Sequence, residues 1–163
     1  MSVRISIALS ALLLLAQSGV SWATCKRPPD ERYEFHGDTF YDKGTDLTWK
    51  RCPIGQFWTG RNCGGDAQRM TWTHANQVSH GDWRLPTNGE FMSLVGYDCE
   101  DPAINVKIAN ELGYVDLEYW SGTPYEDLIA GKEAANYISL HRGKIYNYTR
   151  RMEMKVLLVR SGR

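Results

Sequence analysis

The sequence predicts an α+β domain: two helices in its first half, then a mainly antiparallel sheet, stapled by two disulfides. Three observations predict it. Helix-capping residues precede short periodic apolar runs between residues 71 and 96. Alternating segments bounded by turn residues fill residues 118–160. Four cysteines, an even number, follow a leader of the exported type.

The leader carries Arg4 and no acid, then an almost wholly apolar run over residues 5–16 that is too short to span a bilayer comfortably. Ser21-Trp22-Ala23 supplies small residues where a signal peptidase needs them, so residues 1–23 read as a signal peptide cleaved after Ala23. Thr24 is a poor residue to precede a lipidated Cys25. The expected mature chain is exported, periplasmic or extracellular, with no membrane span. Without the leader it carries 18 basic and 19 acidic side chains over 140 residues, a net charge of −1. That length fits one domain. The hydrophobic content of 42% excludes intrinsic disorder. Near-neutrality excludes a uniformly basic nucleic-acid binder.

Cys25, Cys52, Cys63 and Cys99 allow three pairings. Cys52 and Cys63 flank a turn-prone stretch holding Pro53, Gly55 and Gly60, which suits a local bridge, and Cys25–Cys99 then follows by elimination alone. There is no C-x-x-C and the four histidines are scattered, so neither zinc nor any other metal or cofactor is expected.

Residues 24–38 read as an extended lead-in with Pro28-Pro29. Thr39-Phe40-Tyr41 and Leu47-Thr48-Trp49-Lys50 read as the arms of a hairpin. Residues 53–65 read as a loop. Thr71 can cap a helix over residues 72–79, with Trp72, Ala75 and Val78 on one face. Thr87 and Glu90 have capping-box spacing before Phe91, Met92, Leu94 and Val95, and Gly96 ends that helix. Residues 102–112 suit a further short helix. Residues 118–121, 134–140, 144–149 and 156–160 read as strands, with a tight turn at Arg142-Gly143.

Charge is segregated. Residues 98–133 carry nine acids and two bases, whereas residues 142–163 carry seven bases and one acid. The plainer reading, slightly favoured, is that the two stretches face each other. The sharper one makes the hairpin from Lys144 to Lys155 a basic surface for a polyanion.

No G-x-S-x-G, H-E-x-x-H, P-loop or dinucleotide fingerprint is present, and paired cysteines leave no thiol nucleophile. Asp98, Glu100 and Asp101 could imitate a glycosidase pair or a Ca²⁺ site, but read better as a solvated loop. Trp49, Trp72, Trp83 and Trp120 are expected in the core. Trp58, Tyr125, Tyr146 and Tyr148 fall in loops or on the outer face of a strand, where aromatics stack on sugar rings or meet proteins.

Several motifs then stand in a familiar order. Leu47-Thr48-Trp49-Lys50-Arg51-Cys52 is followed by Gly55-Gln56, Trp58, Gly60 and Cys63, then Thr71-Trp72 with Ala75. Asp82-Trp83-Arg84-Leu85-Pro86-Thr87 with Glu90 comes next. Cys99 with Pro102-Ala103-Ile104-Asn105, Tyr119-Trp120-Ser121 and Val159-Arg160-Ser161-Gly162 complete the series. In these motifs residues 39–163 resemble the Lcl C-terminal domain family, bacterial domains of largely unknown function named for a collagen-like adhesin. The resemblance implies a C-type-lectin-like fold, shared with formylglycine-generating enzymes, and supports Cys52–Cys63. It does not carry their activities across. No cysteine pair follows Cys99, and the Glu-Pro-Asn and Trp-Asn-Asp motifs of Ca²⁺-dependent lectins are missing.

The functional expectation is an exported, non-catalytic, adhesin-like module for an anionic or sulfated glycan at the envelope or cell surface. Arg142, Lys144, Arg150, Arg151 and Lys155 would supply charge, with Arg150 and Arg151 foremost, and Tyr146 and Tyr148 would stack. The rival expectation is a periplasmic protein-binding inhibitor or immunity protein that blocks a partner toxin or enzyme. Its contact would be the acids of residues 98–101 or the loop over residues 53–65.

Overall fold

A computed structural model describes residues 24–78, 80–113, 116–125 and 133–163. The expected signal peptide lies outside the described residues, as does Ser79 at the end of the first expected helix. Eleven short strands and three short helices make an α+β fold among the described residues. A four-stranded antiparallel sheet joins β1 (Tyr33–His36), β2 (Thr39–Asp42), β3 (Leu47–Lys50) and β11 (Val159–Ser161), in that order. The hairpin of β2 and β3 is the expected one, with Phe40 opposite Trp49. The supposed lead-in is structured as well, because β1 pairs along all of β2.

A second sheet has the order β6 (Arg69–Met70), β10 (Met154–Lys155), β7 (Glu118–Pro124), β8 (Ala134–Ser139), β9 (Lys144–Thr149). Only β10 and β7 run parallel. A small hairpin of β4 (Phe57–Trp58) and β5 (Cys63–Gly64) fills part of the expected loop. The strand expected at residues 156–160 is instead confined to β11 at its end, and β10 forms before its start; the two serve different sheets. Val156 and Leu157 between them are fully buried, so the segment crosses the core.

Both disulfides form as paired by the sequence: Cys52–Cys63 and Cys25–Cys99. Three short helices form, the third inside the expected residues 102–112. The first, α1 (Trp72–Ala75), is a single turn capped by Thr71 and stops four residues short of the expected end. In α2 (Asn88–Ser93) the Thr87 hydroxyl accepts from the Glu90 amide and the Glu90 carboxylate accepts from the Thr87 amide at 2.7 Å, a full capping box. The third, α3 (Val106–Glu111), starts at Asn105, whose side-chain oxygen accepts from the Lys107 and Ile108 amides.

The core divides in two. Phe40, Trp49, Phe91 and Tyr119 centre one part, which joins both sheets to α2 and α3. Trp120, Met70, Leu85 and Val156 centre the other, on the opposite face of the second sheet. Tyr119 and Trp120, adjacent on β7, point to opposite faces and anchor one cluster each.

Candidate functional site

Register builds the site. β8 and β9 pair so that Tyr137 lies opposite Tyr146, Ala135 opposite Tyr148 and Ser139 opposite Lys144; β7 adds Trp120 beside Tyr137 and Glu118 beside Ser139. Side chains alternate across a strand, so all of these share one face. Part of that face is covered by the Trp120 cluster. The rest is open, and it carries the tyrosines.

The Tyr137 and Tyr146 rings stack, with centroids 5.4 Å apart and planes at 24°. Trp120 supports Tyr137 edge-on at 6.4 Å. Tyr148 stands two residues along β9 from Tyr146 and is 49% exposed. Tyr137, Tyr146 and Arg142 line an open cleft of about 440 Å³ together with Asp116, Glu118, Ser139 and His141. Hydrogen bonding to Tyr146 holds the Arg142 guanidinium above its ordinary pKa. Burial, helped by the Glu118 charge, pushes the Tyr137 hydroxyl up, so it stays a neutral phenol at physiological pH.

The turn that delivers Arg142 is fixed twice. Gly143 has φ +63°, and a Cβ there would come within 2.7 Å of Val95 and 2.8 Å of Ala103. The adjoining backbone is tied to the Cys99 region by Asp101 N to His141 O (2.9 Å) and Ala103 N to Leu140 O (3.0 Å). The Cys25–Cys99 bridge therefore lies directly behind the turn.

The expected basic surface does not assemble as one patch. Arg142, Lys144, Tyr146 and Tyr148 share the open face or its turn. Arg150 is engaged instead, its Nε donating to Ala134 O at 2.8 Å while the guanidinium lies 4.3 Å from the Trp72 ring centre. Arg151 is exposed, but stands at the far end of a six-residue strand, about 17 Å or more from Lys144 by strand rise. Lys155 is a correction. It is only 7% exposed, because β10 is flanked on both sides, and it sits 3.8 Å from Asp116 and 5.4 Å from the Tyr119 ring centre. A side chain so placed cannot reach a surface ligand.

The acidic and basic stretches do meet. Glu100 lies 3.5 Å from Lys144, Asp101 2.5 Å from His141, Asp116 3.8 Å from Lys155 and Glu133 3.9 Å from Arg151. Glu100 and Asp101 thus stand against Lys144 and His141, and Asp98 is exposed. No group of three or more His, Cys, Asp or Glu stands ready for a metal ion among the described residues.

Sequence reasoning missed Tyr137, Glu118 and Ser139. The pairing of Tyr137 with Tyr146 depends on the strand ending at Ser139, one residue before the expected end at residue 140, and the expected bounds set Tyr137 against Asn147 instead.

A second concavity of about 540 Å³ lies beside the Cys52–Cys63 hairpin, where Phe57 is 64% exposed. Trp58 lines it too, with one ring face covered by the Arg51 guanidinium, 3.4 Å from its ring centre. The described residues contain no helix long and apolar enough to cross a membrane.

No curated protein and no solved structure matches the chain. The family profile of the Lcl C-terminal domain matches residues 38–160, which span β2 and β3 of the first sheet, the disulfide hairpin, the tyrosine face and most of β11, and leave β1 outside. The chain belongs to the Lcl C-terminal domain family.

Proposed function

We propose that the protein is an exported, non-catalytic module that binds an anionic or sulfated glycan on the open face of its second sheet. The stacked Tyr137–Tyr146 pair, with Tyr148 beside it on the same face, carries this reading. The ring faces left open by a stacked pair across two strands offer apolar surface to the C–H faces of sugar rings, while the hydroxyls bond sugar oxygens. Arg142 and Lys144 stand at the turn end of that face, and Arg142 can take a carboxylate or sulfate bidentately. Asp116 and Glu118 line the same cleft, so its charge is mixed. Ring contacts then carry more of the affinity than charge does. The export part of the reading is supported by the leader and by two disulfides that need an oxidising compartment. A C-type-lectin-like architecture is proposed with it, supported by the family membership and the disulfide-stapled pair of small sheets.

The test is retention of the oxidised mature chain on a sulfated-polysaccharide column over a salt gradient. Arg142→Ala with Lys144→Ala is expected to shift elution to lower salt, and Arg150→Ala with Arg151→Ala to shift it much less. Flow-through of the wild type at low salt, on sulfated and on uronate-bearing columns alike, would sink the proposal.

A second reading, a periplasmic protein-binding inhibitor or immunity protein, is favoured by one observation. Phe57 stands exposed on a hairpin that a disulfide holds rigid, which is the form of an interface anchor. Loss of a tight one-to-one complex in Phe57→Ser would support it.

A further inference from the structure

We propose that the outer edge of β9 is a docking site for an extended segment of another protein, one with acidic residues at both ends of a six- to seven-residue strand. β9 is the last strand of its sheet, and no described segment pairs with its outer side. Two hydrogen bonds fix which of its backbone groups point outward. Arg150 N donates to Glu133 O at 2.7 Å, and Leu140 N donates to Leu117 O at 2.9 Å. Bonding alternates along an antiparallel ladder, so odd-numbered residues of β8 bond to β9 and even-numbered ones to β7. Tyr146 and Tyr148, opposite Tyr137 and Ala135, therefore bond inward. The amides of Ile145, Asn147 and Thr149 face out. Unpaired outward groups on an exposed strand are a template for a further strand.

Charge selects the occupant. β9 carries no acid and is flanked by Arg142 and Lys144 at one end and by Arg150 and Arg151 at the other. A second copy in antiparallel pairing would set the first pair against the partner copy's second pair, cation against cation at both ends. Self-pairing is disfavoured on that ground, as edge strands commonly arrange. Arg142 and Lys144 at one end and Arg151 at the other attract a strand with acids at its ends, while Arg150 is held by Ala134 O and the Trp72 ring. The existing partners do not block this, because Lys144–Glu100 and Arg151–Glu133 are long pairs between exposed side chains and hold weakly. The backbone contacts use the edge and not the tyrosine face, while Arg142 and Lys144 are shared with the proposed glycan site.

The probe is a blocked seven-residue peptide of alternating Val and Thr with Glu at both ends, compared with the same peptide ended in Lys. The oxidised mature chain is expected to bind the Glu-ended peptide about tenfold more tightly at low salt. Amide exchange at Ile145, Asn147 and Thr149 should slow at least tenfold on saturation, with Tyr146 and Tyr148 unchanged. Asn147→Pro removes an outward amide without touching the ladder to β8, and should abolish peptide binding while polysaccharide retention is unaltered. Equal binding of the two peptides, or unchanged exchange at the three outward amides, would overturn the proposal. So would slowing with protein concentration alone, which would make a second copy the occupant.

Discussion

Tyr137 and Tyr146 stack across β8 and β9 at 5.4 Å, and the Tyr146 hydroxyl is bonded by Arg142 from the turn between the same strands. One hairpin thus holds an aromatic surface and a guanidinium in fixed relation. Trp120 beneath Tyr137 is fully buried, so the outer ring rests on the core and not on a loop. A rigid platform of this kind loses little conformational entropy when a flat ligand arrives.

Tyr146→Ala should therefore weaken glycan binding by about three- to tenfold, the worth of one aromatic stacking contact. The loss of a half-exposed cross-strand partner should lower stability by under about 1 kcal/mol. Tyr146→Phe keeps the stack and removes the Arg142 bond, and should bind close to the wild type on a neutral glycan. Calorimetric titration of both variants, with thermal melts as the control, checks this. Equal loss in Phe and Ala would move the essential contact from the ring to the hydroxyl.

The two disulfides should differ in worth. Cys25–Cys99 closes a separation of 74 residues and Cys52–Cys63 one of 11. In the chain-entropy view, Ala replacement of the long bridge costs about 4 kcal/mol and of the short one about 3. Functional effects should split as well. The long bridge backs the turn that carries Arg142, so its loss should weaken glycan retention in the fraction that stays folded. The short one should spare retention and disturb only the Phe57 hairpin. Denaturant melts and column retention of the two double-Ala variants test both halves.

Local chemistry was legible in the sequence because it is set by neighbours. The Thr87–Glu90 box, the Phe40–Trp49 hairpin and both bridges follow from residues close in sequence or from counting. What was not legible depended on distant partners. Lys155 and Arg150 look alike in a basic run, yet one is enclosed by β6 and β7 and the other caps the Trp72 ring, and only the sheet order decides that. The first helix is a single turn, although Trp72, Ala75 and Val78 all pack on the Trp120 cluster as the spacing predicts. Tyr137 depends on distant partners too: its strand is legible, but its place on the open face beside Tyr146 is set by the register of β8 against β9.

Glu90 sets an acid-side prediction. Burial raises its pKa, but hydrogen bonds from Arg84 and from the Thr87 amide, with the Arg84 charge, outweigh that and leave it below its ordinary value. A carboxyl depressed in the folded state stabilises above its unfolded pKa, about 4.3, and that contribution is lost as pH falls through the lower folded value. Glu90→Gln keeps the capping hydrogen bond and removes the charge. It should melt lower than the wild type at pH 7, and the gap should close as the solution is taken below the folded pKa. A gap independent of pH would assign the effect to packing.

Lys155 gives the reverse limb. Burial, and then the nearby Arg69 charge, lower its pKa, and Glu118 offsets this only in part; Asp116 at 3.8 Å is shared with Arg69. Between the lowered folded value and the ordinary 10.4 the unfolded chain binds more protons, so this residue makes stability rise with pH there. At neutral pH the charged ammonium is held inside the sheet at a net cost. Lys155→Met fills the same space over the Tyr119 ring without a charge, and Asp116 keeps its Arg69 partner. The variant should melt higher than the wild type at pH 7, and the difference should shrink toward pH 10. Glycan retention should not change, since the side chain does not reach the open face. A lower melting temperature at pH 7 would show that the Asp116 and Tyr119 contacts outweigh the desolvation.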